Sequence, residues 1–246
     1  TESSSRRASS VIPPAVVLPV ITIQRSSLLA LLLLLSVHIA RGAFANPLHT
    51  LRMGTNACDA FVAAIKQQGV KAVVFDFDCT ATIKHSGGCV RHEKLADFLK
   101  SNISPCFQQL LPKLFESRIK VGVATFADSY KCPKTHLGGE HLVRHFFGHY
   151  FSDTMEDKVE IVAAYPENYQ SETAYMAKGL NAPMPLSKEY HLGVLCDGWG
   201  LQSREVMLVD DDIKNVGAAY KDGHHTRFVK DRKGLMPENL LEQFPQ

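Results

Sequence analysis

Three short, mostly apolar runs limit what this chain can fold into: Ala72–Phe75, Ile119–Ala124 and Val206–Val209. Runs this short and this apolar read as strands buried on both faces of a sheet. Helical periodicity fills much of the remaining chain. Asn56 to Gln68 carries Phe61, Val62 and Ile65 on one side and stops at Gly69, and similar patterns recur over Lys94–Leu99, Phe107–Phe115, Gly138–Phe147, Lys188–Cys196 and Ile213–Lys221. Thr226–Val229 reads as a fourth strand, and Tyr150-Phe151 as a brief one. Residues 153–187, with three prolines and many polar side chains, read mostly as loop. Strands alternating with helices predict an α/β fold with a parallel sheet wound by right-handed crossovers. Ligands in such sheets sit beyond the carboxyl ends of the strands.

Those strand ends are where the polar chemistry lies. The first strand runs into Asp76-Phe77-Asp78-Cys79-Thr80. In extended chain, residues two apart point the same way, so Asp76 and Asp78 leave the strand on one side. Two carboxylates this close stay ionised only beside a cation or hydrogen-bond donors; the alternative is that Asp-x-Asp-x-Thr merely caps a turn. The second strand ends at Thr125, followed by Phe126, and a hydroxyl there can hold a phosphate oxygen. The third ends in Asp210-Asp211-Asp212, with Asn215 beyond. One carboxylate can serve the N-terminus of the next helix, but three point to a hard, oxygen-seeking ion such as Mg²⁺. Lys188, opening the helix before that strand, has weight only as part of this set.

In this order, Asp-x-Asp-x-Thr, a strand-end Thr, a Lys, then Asp-Asp with Asn215, the motifs resemble the haloacid-dehalogenase-like (HAD) phosphatase superfamily over roughly residues 70–230. The resemblance implies a Rossmann-like three-layer sandwich around a central parallel sheet. It also implies roles. Asp76 would be nucleophile and Mg²⁺ ligand. Asp78 would be general acid/base, with its main-chain carbonyl also on the metal. Thr125, Phe126 and Lys188 would form the phosphate pocket, and Asp211 would complete the metal ligands. Asp210, Asn215 and Thr80 would support them. The second Asp favours a phosphatase over a dehalogenase. Cys79 stands where many members carry Gly. The short intervals after Thr80 and Phe126 leave room for no more than a minimal cap, so an open site is expected, suited to a phosphoprotein or a bulky small-molecule phosphoester. His85, in the Ser86-Gly87-Gly88 flap, is a candidate substrate contact. Two other readings remain open: a non-catalytic module that keeps metal and phosphate contacts, and a phosphotransferase with an acceptor other than water.

Residues 1–45 read as a targeting leader, and 46–246 as the hydrolase domain. Arg25 precedes the apolar run Leu28–Val37, and Ala43-Phe44-Ala45 follows, the three parts of a secretory signal. The run is shorter than the ~20 residues that span a bilayer. A secretory or secreted location is therefore expected, the alternatives being an organelle-targeting leader or an anchor at residues 28–40, the one expected membrane contact. A formal net charge of +2, with no clustered basic stripe, gives no reason to expect a nucleic-acid partner. The six cysteines form no C-x-x-C, and free buried thiols are as compatible with the pattern as one or two disulfides. Asn102-Ile103-Ser104 is a glycosylation sequon. His141, His145 and His149 repeat at helical spacing and read as a solvated face.

Overall fold

The computed structural model describes residues 47–151 and 153–241; the leader expected over residues 1–45 lies outside them. In chain order the elements are α1 (Pro47–Gln67), β1 (Ala72–Phe75), β2 (Cys89–Arg91), α2 (Leu95–Leu99), α3 (Pro105–Glu116), β3 (Lys120–Thr125), β4 (His136–Gly138), α4 (Gly139–Tyr150), α5 (Asp153–Glu156), β5 (Val159–Ala163), α6 (Glu172–Ala177), α7 (Glu189–Trp199), β6 (Val206–Asp210), α8 (Ile213–Lys221), β7 (His225–Phe228) and α9 (Pro237–Leu241). Five of the strands form one parallel sheet in the order β5-β3-β1-β6-β7. The order reverses between β1 and β6, which makes their carboxyl ends the switch point where ligands of such sheets bind.

Alternation along β1 explains the layers. Val73 and Phe75 pack into a core with Phe61, Ile65, Phe107, Leu110 and Phe146 from α1, α3 and α4. Ala72 and Val74 face the other way, against Leu192 and Leu195 of α7 and Ala219 of α8. Successive residues of a strand point to opposite faces, so an unbroken apolar run needs helices on both sides. The result is a Rossmann-like three-layer α/β sandwich. Phe75 and Phe107 meet edge-to-face at 5.0 Å, a favoured aromatic geometry. On β3, a Cβ at Gly122 would sit 2.8 Å from the Trp199 ring and 3.0 Å from Leu195, so α7 packs directly on bare backbone there.

Residues 150–187 correct the sequence reading. Tyr150 ends α4 instead of opening a strand, because Leu142, Val143, Phe146 and Phe147 continue the helical spacing into the core. The missing strand is β5, inside the stretch expected to be loop. It is an edge strand with only partial burial; Val159 and Ile161 join one core cluster while Val162 packs on the other. Exposed Glu160 interrupts the apolar run, which hid the strand. Farther on, Tyr169, Ala174 and Met184 gather over Ala164 in a small cluster of their own.

The sequon is also structural. Asn102 is fully buried, and its side-chain Oδ1 accepts from the Lys84 N–H at 2.7 Å. A glycan has no room there. Of the cysteines, Cys89 and Cys132 are joined in a disulfide, while Cys58, Cys79, Cys106 and Cys196 are buried and free. The disulfide ties the first residue of β2 to the loop before β4, with which β2 forms a two-stranded antiparallel ribbon. His141, His145 and His149 are exposed, as expected of a solvated face. No described helix is long and apolar enough to cross a membrane.

Candidate active site

The sheet register brings the carboxylates together. Phe75 is level with Val209, and the Asp76 N–H donates to the Val209 carbonyl at 2.8 Å. Asp76 and Asp210 are therefore neighbours across two adjacent strand ends. Carboxylate oxygens of Asp76, Asp210 and Asp211 all lie within 4.8 Å of one another. Burial and the Asp76 charge push the Asp210 carboxyl up to about 8 and that of Asp211 up to about 6. Asn215 donates to both Asp210 oxygens at 3.1 and 3.0 Å, which fixes the carboxylate without neutralising it. Asp212 takes the other job weighed for this triplet: its side chain accepts from Lys214 N–H at 2.8 Å and caps α8. That frees the two preceding carboxylates for the cleft.

Lys188 enters from the N-cap of α7 and is 1% exposed. Its ammonium donates to Asp76 Oδ1 at 2.7 Å and to the Ala124 carbonyl at 2.6 Å. It also lies 4.0 Å from the centre of the Phe126 ring, so Phe126 supports the ammonium as well as lining the cleft. Thr125 is buried, and its hydroxyl oxygen accepts from the Ala127 N–H at 3.0 Å. The hydroxyl proton is thereby left to donate into the cleft.

Asp78 does not join the carboxylate cluster. The chain turns after Asp76, and Cys79 adopts a left-handed φ of 59°. Glycine is the residue best suited to that conformation, which accounts for the Gly expected at this point of the motif. Burial pushes the Cys79 thiol up to about 11, with the surrounding carboxylates adding to the effect, so it is a poor nucleophile. The Asp78 carboxylate instead meets the flap: it accepts from the Ser86 N–H at 2.9 Å and the Ser86 hydroxyl at 2.7 Å. His85 Nδ1 lies 3.5 Å from it. Burial is the main cause raising the Asp78 carboxyl. Thr80 is fully buried and its hydroxyl has no partner among the described residues; it packs beneath the turn.

Asp76, Asp78, Thr125, Phe126, Asp210 and Asp211 line a cleft of about 600 Å³, with Lys188 buried behind Asp76. Several of its residues carry no motif signal. Asp128 organises one wall, accepting from Tyr130 N–H, Tyr165 N–H and Asn168 Nδ2 at 2.9, 3.0 and 3.1 Å; its place three residues past a strand end was the one available clue. Arg232 comes from after β7, with Nε 3.3 Å from Asp211 Oδ2. His191, behind the cleft, places Nε2 3.2 and 3.0 Å from the carbonyls of Thr125 and Ala164, tying the ends of β3 and β5 together. Ser86 lies in the flap that the sequence marks only as a turn.

A cation fits this donor set. Crowded carboxylates, with no Cys or His in the cluster among the described residues, fit a hard divalent ion that prefers oxygen, and such an ion offsets the burial and the Asp76 charge that raise the Asp210 and Asp211 carboxyls.

No protein-family model matches the chain, and no curated protein matches it. Solved structures similar to it include an uncharacterized protein from Corynebacterium glutamicum, 16% identical with a TM-score of 0.36, covering 67% of this chain and 89% of that one. A hypothetical protein from Xanthomonas campestris is 16% identical with a TM-score of 0.36, over 66% of this chain and 65% of that one. A protein from Mesorhizobium loti, provisionally named a HAD-like phosphatase, is 17% identical with a TM-score of 0.43, over 70% of this chain and 82% of that one.

Proposed function

We propose that the chain is a Mg²⁺-dependent phosphomonoesterase of the HAD type, working through a phospho-aspartate on Asp76. The observation that carries this reading is the buried Lys188–Asp76 pair at 2.7 Å, set among Asp210 and Asp211 at the switch point of the sheet. A structural ion pair would not need two further carboxylates crowded against it.

Asp76, Asp211 and the main-chain carbonyl of Asp78 would hold Mg²⁺, with Asp210 alongside. When bound, the ion would supply positive charge against the phosphoryl oxygens. The Asp76 carboxylate attacks phosphorus, an acyl phosphate bond forms, and the ester P–O bond breaks. Asp78, raised by burial, gives its proton to the departing oxygen. It then takes a proton from water, the water oxygen attacks phosphorus, and the bond to Asp76 breaks. Lys188 and the Thr125 hydroxyl hold the phosphoryl oxygens through both steps, where preorganised donors contribute most. Ser86 keeps Asp78 aimed. The reading extends to an open site that admits a phosphoprotein or a bulky phosphoester, and to the secretory pathway, for which the Cys89–Cys132 disulfide is support because such bonds persist in oxidising compartments.

Hydrolysis of an aryl phosphate, with and without Mg²⁺, tests the reading. Metal-dependent turnover is expected in the wild type and its loss in Asp76→Asn. Metal-independent turnover, or equal rates in the two proteins, would refute it. A non-catalytic module would bind phosphate and metal without turnover on any phosphoester, and a phosphotransferase would need an added acceptor alcohol.

A further inference from the structure

Arg232 owes its place to an unusual backbone. Asp231 and Arg232 have φ values of 67° and 53°, a left-handed pair that non-glycine residues adopt only where the surroundings over-determine it. The surroundings do so here. Two residues later the Gly234 N–H donates to the Cys79 carbonyl at 3.0 Å, and the Leu235 N–H to the Thr80 carbonyl at 2.9 Å. A Cβ on Gly234 would sit 2.6 Å from Ser104 and 3.1 Å from the Thr82 carbonyl, so the segment lies tight on the end of the turn that carries Asp78. Strain, anchoring and close approach all fix Arg232 relative to the reacting groups.

Charge along the cleft is divided. Its lining holds Asp76, Asp78, Asp210 and Asp211, with Lys188 buried behind Asp76, while the Lys and Arg side chains on the lining itself are Lys131 and Arg232. In the sheet order, Lys131 follows β3 and Arg232 follows β7, so the two come from either side of the β1 and β6 carboxylates. The Arg232 side chain is 70% exposed and its contact to Asp211 runs through Nε, which leaves the remaining donors of the planar fork accessible. A divalent ion held by Asp76, Asp210 and Asp211 would compete with Arg232 for the Asp211 carboxylate. The guanidinium would then stand on the cleft lining with the donor that met Asp211 free for another carboxylate.

We propose that Arg232 selects phosphomonoesters whose leaving group bears a carboxylate close to the ester oxygen. This rests on the phosphomonoesterase reading above and adds the substrate class to it. The leaving group departs outward past Arg232, and its carboxylate takes the place that Asp211 gives up.

The test uses a matched pair, 3-carboxyphenyl phosphate and 3-carbamoylphenyl phosphate, of similar size and reactivity but different charge. In the wild type with Mg²⁺, kcat/KM for the acid is expected to exceed that for the amide by about tenfold, the scale of a partly exposed charge-assisted pair. Arg232→Gln should bring the ratio close to one, and Arg232→Lys should restore part of it. A second arm titrates the same two compounds calorimetrically into Asp76→Asn protein, at Mg²⁺ raised until the site that has lost this ligand is saturated, where the Kd ratio should follow the same pattern without any turnover. A wild-type ratio near one, or an Arg232→Gln protein that loses the same factor on both compounds, would overturn the proposal. Binding preference in the calorimeter without turnover in the wild type would sink the hydrolase reading and leave Arg232 as a carboxylate-binding residue.

Discussion

A lysine with 1% of its surface exposed has to be paired, and Lys188 is paired with the Asp76 carboxylate, the Ala124 carbonyl and the Phe126 ring. Removing it leaves Asp76 facing Asp210 and Asp211 without a fixed cation. Lys188→Met is expected to lower kcat by about 10²–10³-fold, the usual loss for one preorganised donor, in steady-state assays at saturating Mg²⁺. His191 makes a different prediction. Burial, with the Lys188 charge adding to it, holds its imidazole down to about 3, against about 6.5 in an unfolded chain. Carbonyls only accept, so Nε2 carries the hydrogen and the ring is neutral in the fold. Below pH ~6.5 the unfolded chain takes up a proton that the folded one refuses, so this contribution is complete above that pH and is lost as pH falls toward about 3. Between pH 7 and 5 the wild type should lose about 2 kcal/mol more than His191→Asn in urea titrations. Parallel losses in the two proteins would contradict the assignment.

At the scale of elements, the three strands with mostly apolar runs were legible because burial on both faces leaves almost no polar position in the pattern, Lys120 at the exposed start of β3 being the exception. Helix α8 was legible for a similar reason, and the structure separates the duties of the acids before it. Asp212→Ala should cost about 1 kcal/mol of stability in urea, the ordinary value of an N-cap. Asp211→Asn should instead show its main loss in Mg²⁺ affinity by calorimetry, at least about tenfold when a charged ligand is removed. Equal effects of both changes on metal affinity would mean that the cap is also a ligand. Strand β5 was not legible, because exposed Glu160 breaks its apolar run and its last three residues are only half-buried. Nor was Ser86 or Arg232: a flap hydrogen bond and a strained loop depend on which distant segment lies alongside, here Asp78 and the Cys79-Thr80 carbonyls. The burial of Asn102 was not legible for the same reason, since a sequon carries no information on burial.

For the whole molecule, the sheet order decides the chemistry. Placing β1 between β3 and β6 sets Asp76 beside Asp210 on one flank and within reach of the Lys188–Ala124 contact on the other. Neither flank is near Asp76 in sequence, with Lys188 112 residues away. Covalent phosphorylation of Asp76 is the central claim, and trapping it is the direct measurement. Asp78→Asn protein would be mixed with p-nitrophenyl phosphate and Mg²⁺, quenched in acid and mapped by peptide mass spectrometry. A good leaving group needs little protonation, whereas the water step still needs the missing base, so a phosphoryl adduct should accumulate on Asp76 together with a burst of nitrophenol. Nitrophenol release with no adduct, or an adduct on any other residue, would contradict the account.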